Sequence, residues 1–293
     1  MRSLLFVPAD SEKKLAKGAE CGADALILDL EDSVAAERKQ AAREGALAYL
    51  KAHAADAPRP RLIVRVNALD TGLTDADLDT VVAGQPDAIL LPKAEGGASV
   101  THLDAKLTAR EAIHGLPDGA ISIIALATET AAALFLCGTY RSSSPRLSGI
   151  TWGAEDLSAE LGAETNRDAA GHFTSPYLLA RSLSLAAASA ARVQAIDTVY
   201  ADFRNMEGLR QEAEDARRDG FTAKMAIHPA QVAIINEVFT PSAQDIEKAR
   251  EIVNAFAATP SSGVVGIGGV MYDRPHLRRA ERLLARANPT SSS

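Results

Sequence analysis

The sequence predicts an α/β protein built on a closed (β/α)8 barrel with a C-terminal helical extension. Three observations carry the prediction. Eight short, nearly continuous apolar runs recur along the chain, as expected for strands covered on both faces. Amphipathic stretches of helical period separate them. Polar and mostly acidic residues follow the apolar runs, where a barrel keeps its functional groups.

In chain order the strands fall at residues 4–8, 25–30, 61–67, 88–92, 121–127, 147–152, 194–200 and 222–227. Helical patterns lie between them at 11–20, 34–52, 73–83, 99–113, 176–190 and 209–219. An open doubly wound sheet is the alternative. It is weakened because Phe6-Val7-Pro8-Ala9-Asp10 carries no glycine-rich turn after the first strand. The most apolar stretch, 121–138, holds Glu129 between Thr128 and Thr130. A carboxylate there is costly in lipid, so the stretch reads as a buried strand running into a buried helix. Beyond the eighth strand, Pro241-Ser242 starts a helix over 245–257. Residues 259–269, rich in Gly, Ser and Pro, read as a flexible loop. A basic helix over 274–287 follows, and 289–293 reads as a disordered tail. The expected division is a catalytic barrel over 1–240 and an extension over 241–293, acting as a lid or an arm exchanged between subunits.

Composition narrows the class. The chain has 293 residues, 47% hydrophobic and 24% charged, with a net charge of -7. That balance argues against a general nucleic-acid binder. Cys21 and Cys137 stand in no metal-binding or paired spacing. They read as small buried hydrophobes. The N-terminal apolar run is too short for a signal peptide, and Asp10 follows at once. The expectation is a soluble cytoplasmic protein with no membrane partner.

The strand ends supply the chemistry. The second ends in Asp29-Leu30-Glu31-Asp32, the third in Arg65-Val66-Asn67, the fourth in Pro92-Lys93. The fifth ends in Thr128-Glu129-Thr130, the sixth in Gly153-Ala154-Glu155-Asp156, the eighth in His228-Pro229. Carboxylates gathered in one mouth repel each other unless a cation or protons neutralise them. Oxygen ligands without a His/Cys cluster favour a hard cation, most simply Mg2+. Glu129 and Asp156, on adjacent strands, are the best ligand candidates; a helix N-cap or a solvated loop acid is the plain alternative for each. Arg65 reads equally as a fork for a substrate carboxylate or as a salt bridge to Glu31 or Asp32. Lys93 reads better as an exposed loop lysine than as an anion ligand. Gly153 and Ala154 either let backbone N–H groups approach a ligand carboxylate or form a plain turn. His228 reads as structural, since no nucleophile motif accompanies it. Trp152 fits a core or a pocket wall.

The ordered segments Ser3-Leu4-Leu5-Phe6-Val7-Pro8, Gly22-Ala23-Asp24-Ala25-Leu26-Ile27-Leu28-Asp29-Leu30-Glu31-Asp32, Arg65-Val66-Asn67, Leu91-Pro92-Lys93, Glu129-Thr130, Gly153-Ala154-Glu155-Asp156-Leu157, Ala195-Ile196-Asp197-Thr198-Val199-Tyr200 and Ile227-His228-Pro229-Ala230-Gln231 span almost the whole chain. Together they resemble the citrate lyase beta-subunit-like branch of the HpcH/HpaI aldolase family, similar to malyl- and citramalyl-CoA lyases. The resemblance implies a (β/α)8 barrel, a homotrimer or a hexamer of two trimers, and Mg2+ as cofactor. It implies cleavage or formation of a carbon–carbon bond between a 2-oxo acid and an acyl thioester. Glu129 and Asp156 would be the metal ligands, and Arg65 would bind the substrate's carboxylate or oxo group. Glu31 and Asp32 would hold waters bound to the metal. The backbone of Gly153, Ala154 and Glu155 would hold the carboxylate end. In CoA-using relatives a Met-x-Asp-x-Pro segment closes over a neighbouring subunit's site, and here Met271-Tyr272-Asp273-Arg274-Pro275 makes Asp273 the acid–base candidate. Tyr272, Ala133 and Ala9 depart from the family's usual residues. The changes at Ala133 and Ala9 narrow the mouth and bear on substrate choice more than on the metal.

The resemblance implies a retro-aldol or Claisen step on a malyl-, citramalyl- or citryl-thioester, carried by CoA or by an acyl carrier protein (ACP). Competing readings are a citryl-ACP lyase beta subunit of a citrate lyase complex, a malyl-CoA-type thioesterase, and a non-enzymatic binding module. Intact Arg65, Glu129 and Asp156 weigh against the last.

Overall fold

The computed structural model describes residues 1–54 and 56–287. The expected tail at 289–293 lies outside the described residues. The chain divides into two compact units, Met1–Glu237 and Val238 onward.

The first unit is a TIM barrel. Its strands are β1 (Ser3–Pro8), β2 (Ala25–Asp29), β3 (Arg61–Arg65), β4 (Ala88–Ala94), β5 (Ser122–Ala127), β6 (Leu147–Trp152), β7 (Gln194–Asp197) and β8 (Ala223–Ala226). They pair in sequence order, all parallel, and β8 closes on β1. The helices are α1 (Glu12–Ala19), α2 (Lys39–His53), α3 (Thr74–Val81), α4 (Gly96–Ile113), α5 (Ala131–Leu136), α6 (Glu155–Leu161), α7 (Ser175–Ala191), α8 (Met206–Asp219) and α9 (Pro229–Phe239). Among the described residues, no helix is long and apolar enough to cross a membrane.

Side chains alternate across each strand. Ile27, Ile63, Leu90, Leu126, Ile196 and Met225 turn inward and fill the barrel. Ala25, Ala88 and Ala223 leave room for them, so the interior is a packed core. The residues out of phase meet the helices. Lys224, next to inward Met225, is fully buried. Its ammonium donates to Asp197 Oδ2 at 2.6 Å and to Glu212 Oε1, on α8, at 2.9 Å. Asp197 also accepts from Trp152 Nε1 at 2.8 Å. Trp152 is therefore core.

One expectation fails in this unit. The run after β5 continues into α5, but that helix is not buried: Phe135 is 89% exposed. The apolar pattern there records a helix with an uncovered face rather than an interior one.

The second unit contains α10 (Ala243–Ala258), a hairpin of β9 (Val264–Ile267) and β10 (Val270–Asp273), and α11 (Arg274–Ala287). Ser242 and Asp245 form a capping box at the start of α10, in keeping with the Pro241-Ser242 start signal. Ala249, Ile252, Phe256 and Ala280 form its small core, with Val265 and Tyr272 packed on it. The expected flexible loop over 259–269 is corrected here. Gly268 and Gly269 both have positive φ and form a two-residue turn between paired Ile267 and Val270. Paired glycines allow that turn, and apolar residues on both sides make the segment a hairpin.

Lys224→Met should lower the unfolding free energy by about 3–5 kcal/mol, since it leaves the buried Asp197 carboxylate without its main counter-charge. Urea denaturation measures the loss, and adding Asp197→Asn should recover part of it.

Candidate active site

The inward phase of the strands brings polar groups to the C-terminal mouth. Asp29 lies two residues past Ile27, and Arg65 two past Ile63; the two are paired in register. Arg65 Nε and Nη2 donate to Asp29 Oδ1 and Oδ2, both at 2.7 Å. This is a two-point fork that fixes the guanidinium plane. Nη1 remains on the mouth side, 2.9 Å from Glu31 Oε2 and 3.6 Å from Asp32 Oδ2. Phe6 underlies the group, its ring centroid 4.8 Å from the guanidinium carbon. Burial works to raise the Asp29 carboxyl, but the Arg65 fork and nearby N–H groups outweigh it and hold it below the usual carboxylate range. Glu31 goes the other way: burial raises it despite Arg65 and Lys93.

The backbone turns sharply at the ends of β4 and β5. The register between these strands shifts between Leu91 and Ala94, and Lys93 has a φ of 49°. A bulge at a barrel rim re-aims the residue it carries. Lys93 N donates to Glu129 Oε2 at 2.5 Å. Its ammonium donates to Glu31 Oε1 at 2.7 Å and lies 3.2 Å from Asp156 Oδ1. The expectation of an exposed loop lysine is therefore overturned. Thr128 has a φ of 66°, a strained value for a β-branched residue. It directs the next residue, Glu129, into the mouth.

Glu129 is buried. Burial first, then the negative charge of Asp156, pushes its carboxyl up to about 8. Asp156 stands in the first turn of α6, directly after the β6 turn at Gly153 and Ala154. The N–H groups of that first turn have no acceptor within the helix, and the helix end favours an anion. A Cβ on Gly153 would come within 2.8 Å of Glu129 Cγ and 3.1 Å of its Oε1. Glycine is required there so that Glu129 can lie against the turn.

The mouth thus brings together Arg65, Glu31, Asp32, Glu129, Gly153 and Asp156. Ala154 is the buried N-cap position of α6. The Glu155 side chain points elsewhere, accepting from Asn166 Nδ2 at 2.9 Å. His228 is exposed and stacks on Phe203. Asp273 belongs to the second unit, at the end of β10, with His276 Nδ1 2.5 Å from its Oδ1. Two residues carry more than the sequence reading gave them. Asp29 carried its signal in the strand register, which puts it beside Arg65. Lys93 carried only the Pro92-Lys93 pair, and the bulge that aims it leaves no mark in composition.

Among the described residues, no three His, Cys, Asp or Glu side chains form a ready cage for a metal ion. The donor set nonetheless fits Mg2+, which takes one or two carboxylates and completes its shell with water and substrate oxygens. Glu31 Oε2 is buried and, its ion pair with Arg65 aside, has no hydrogen-bond partner among the described residues, and Glu129 takes a single N–H on its Oε2. Acids so short of donors suit a cation.

Strained backbone and buried unlike charges, gathered at the strand ends of a closed parallel barrel, are the marks of an enzyme. The chain belongs to the HpcH/HpaI aldolase/citrate lyase family, whose model matches residues 2–229. It is 36% identical over 291 residues to the citrate lyase subunit beta of Escherichia coli (strain K12), covering 98% of this chain and 93% of that one. It is 32% identical over 300 residues to the mitochondrial citramalyl-CoA lyase of Mus musculus, covering 98% and 86%. Among solved structures it is similar to CitE from Mycobacterium tuberculosis in complex with magnesium, acetoacetate and coenzyme A. That match has a TM-score of 0.76 and 34% identity, and covers 98% of both chains.

Gly153→Ala should lower stability by about 1–3 kcal/mol through overpacking against Glu129. Chemical denaturation reads the change, and unaltered stability would mean that Glu129 moves aside freely.

Proposed function

We propose that the chain is a Mg2+-dependent carbon–carbon lyase acting on a 3-hydroxy acyl thioester of the malyl, citramalyl or citryl type. The products are a 2-oxo acid and an acyl thioester, and the reaction also runs in the condensing direction. The observation that carries this reading is that Lys93 contacts both Glu129, which is buried, and Asp156, beside the forked Arg65. The M. tuberculosis relative, solved with magnesium, acetoacetate and coenzyme A, supports the same metal and substrate class.

Glu129 and Asp156 would hold the metal. When bound, Mg2+ would supply Lewis-acid polarisation of the substrate's oxygens and ease loss of the hydroxyl proton to solvent water. Arg65, held rigid by Asp29, presents Nη1 to the oxygen on which the oxo group develops. Glu31 and Asp32 would hold waters bound to the metal. The first-turn N–H groups around Gly153, Ala154 and Glu155 receive the substrate carboxylate. As the carbon–carbon bond breaks, its electron pair passes to the thioester, and the α-carbon must then gain a proton. His276 holds the Asp273 carboxyl below the usual carboxylate range, so Asp273 would take a proton from solvent to deliver it, and in the condensing direction would remove the α-proton directly. The unit that carries Asp273 serves as a lid over a neighbouring copy's site, in a homotrimer or a hexamer of two trimers. Exposed Phe135, Leu136, Leu161, Leu178 and Leu179, on α5, α6 and α7, supply apolar surface suited to such an assembly. Likeness to the E. coli citrate lyase subunit beta favours a second reading, in which an acyl carrier protein presents the citryl group.

Glu129→Gln and Asp156→Asn should each cut Mg2+-dependent turnover by about a hundredfold or more while the protein stays folded. Malyl-, citramalyl- and citryl-CoA assayed by mass spectrometry, with Mg2+ or with EDTA, test this. Full activity in EDTA would reject the mechanism, and activity on free CoA thioesters would count against the carrier-protein reading.

Asp273→Asn should leave Mg2+ binding intact but suppress deuterium exchange at the acyl thioester's α-carbon. Exchange at the wild-type rate would remove Asp273 from the reaction.

A further inference from the structure

Lys93 touches both candidate ligands with different parts of itself. Its backbone N–H holds Glu129 Oε2, and its ammonium stands against Asp156 Oδ1 and Glu31 Oε1. Asp32 Oδ1 lies 4.0 Å from the same ammonium. Three carboxylates on two different elements thus meet one ammonium, with Arg65 also facing Glu31 and Asp32. The backbone is bent to achieve this. A positive φ is strained for a residue with a Cβ, and the β4–β5 register is interrupted at the same place. A lysine reaching into solvent would need neither distortion.

We propose that Lys93 is a resident counter-cation, a positioning residue that holds Asp156 and Glu31 together while the divalent ion is away and opposes that ion's binding. The inference rests on the reading of Glu129 and Asp156 as metal ligands. Like charges repel, so an ammonium 3.2 Å from a ligand oxygen weakens the hold on any second cation at that oxygen. The same ammonium lowers the repulsion among the acids in the metal-free protein. A merely structural salt bridge would stabilise the fold equally with and without the ion. A resident counter-cation stabilises mainly the metal-free form.

The experiment uses the full chain as wild type, Lys93→Met, Lys93→Gln and Lys93→Arg. Thermal unfolding is followed in EDTA and in saturating MgCl2, and Mg2+ affinity is measured by calorimetry at one pH. Methionine and glutamine keep the backbone N–H bond to Glu129, and glutamine covers the case in which methionine fails to fold. Both should unfold at lower temperature than wild type in EDTA, with most of the gap closed by Mg2+. Both should bind Mg2+ about thirtyfold more tightly, the size expected for one unit charge about 4 Å from a divalent ion at near-water screening. Arginine, which keeps the charge, should follow wild type. An equal gap in EDTA and Mg2+, with Mg2+ affinity unchanged or weaker, would overturn the proposal. Mg2+ binding lost in Glu129→Gln yet untouched by Lys93→Met would overturn it while leaving the ligand reading intact. A wild-type chain that binds no Mg2+ would remove the ligand reading and this inference together.

Discussion

Crowding of negative charge at one end of the barrel is the constraint around which the site is built. Asp29, Glu31, Asp32, Glu129 and Asp156 gather there against two fixed cations, Arg65 and Lys93. Each acid meets the problem differently. Asp29 gives both oxygens to Arg65 and is the best compensated. Glu31 lies between Arg65 and Lys93. Asp32 is half exposed and shares its charge with water. Glu129 is buried with one N–H donor and a negative neighbour. The raised Glu129 carboxyl follows from the low dielectric of a packed barrel and the scarcity of donors around it.

Three local departures from regular structure make that arrangement possible. The bulge at Lys93 turns an N–H and an ammonium toward the acids. The left-handed backbone at Thr128 redirects Glu129 at the end of β5. The missing Cβ at Gly153 gives Glu129 a surface to lie against. The rest of the barrel is well packed, with one further register shift between β5 and β6 at Ile123–Ile124, and it absorbs the cost of these distortions. Lys39 adds a further brace: its ammonium takes the carbonyls of Leu30 and Glu31, at 2.7 and 2.8 Å, and so fixes the turn that carries Glu31.

The barrel was legible because burial on both faces writes strands as continuous apolar runs. Residues 147–152 matched β6 from end to end, and the other seven strands were found with small shifts at their ends. Strand ends then pointed to Arg65, Glu129 and Asp156 by position alone. Asp29 was harder, since its pairing with Arg65 depends on register between two strands. Lys93 was harder still, because a bulge is decided by the closure of the whole sheet. The hairpin of the second unit was obscured by its glycines, which serve a tight turn as well as a loose one. The exposed side of α5 shows a limit of a different kind: an apolar run marks surface that seeks cover, and the cover need not come from the same chain.

Trp152 is the chain's only tryptophan. It is wholly enclosed, its indole N–H is spent on Asp197, and Phe173 approaches its ring edge-on at 5.1 Å. The ultraviolet emission of the indole therefore has a single source on the wall shared by β6 and β7. The protein carries its own optical probe at that point, and loosening of that wall is readable as a red shift without any attached dye.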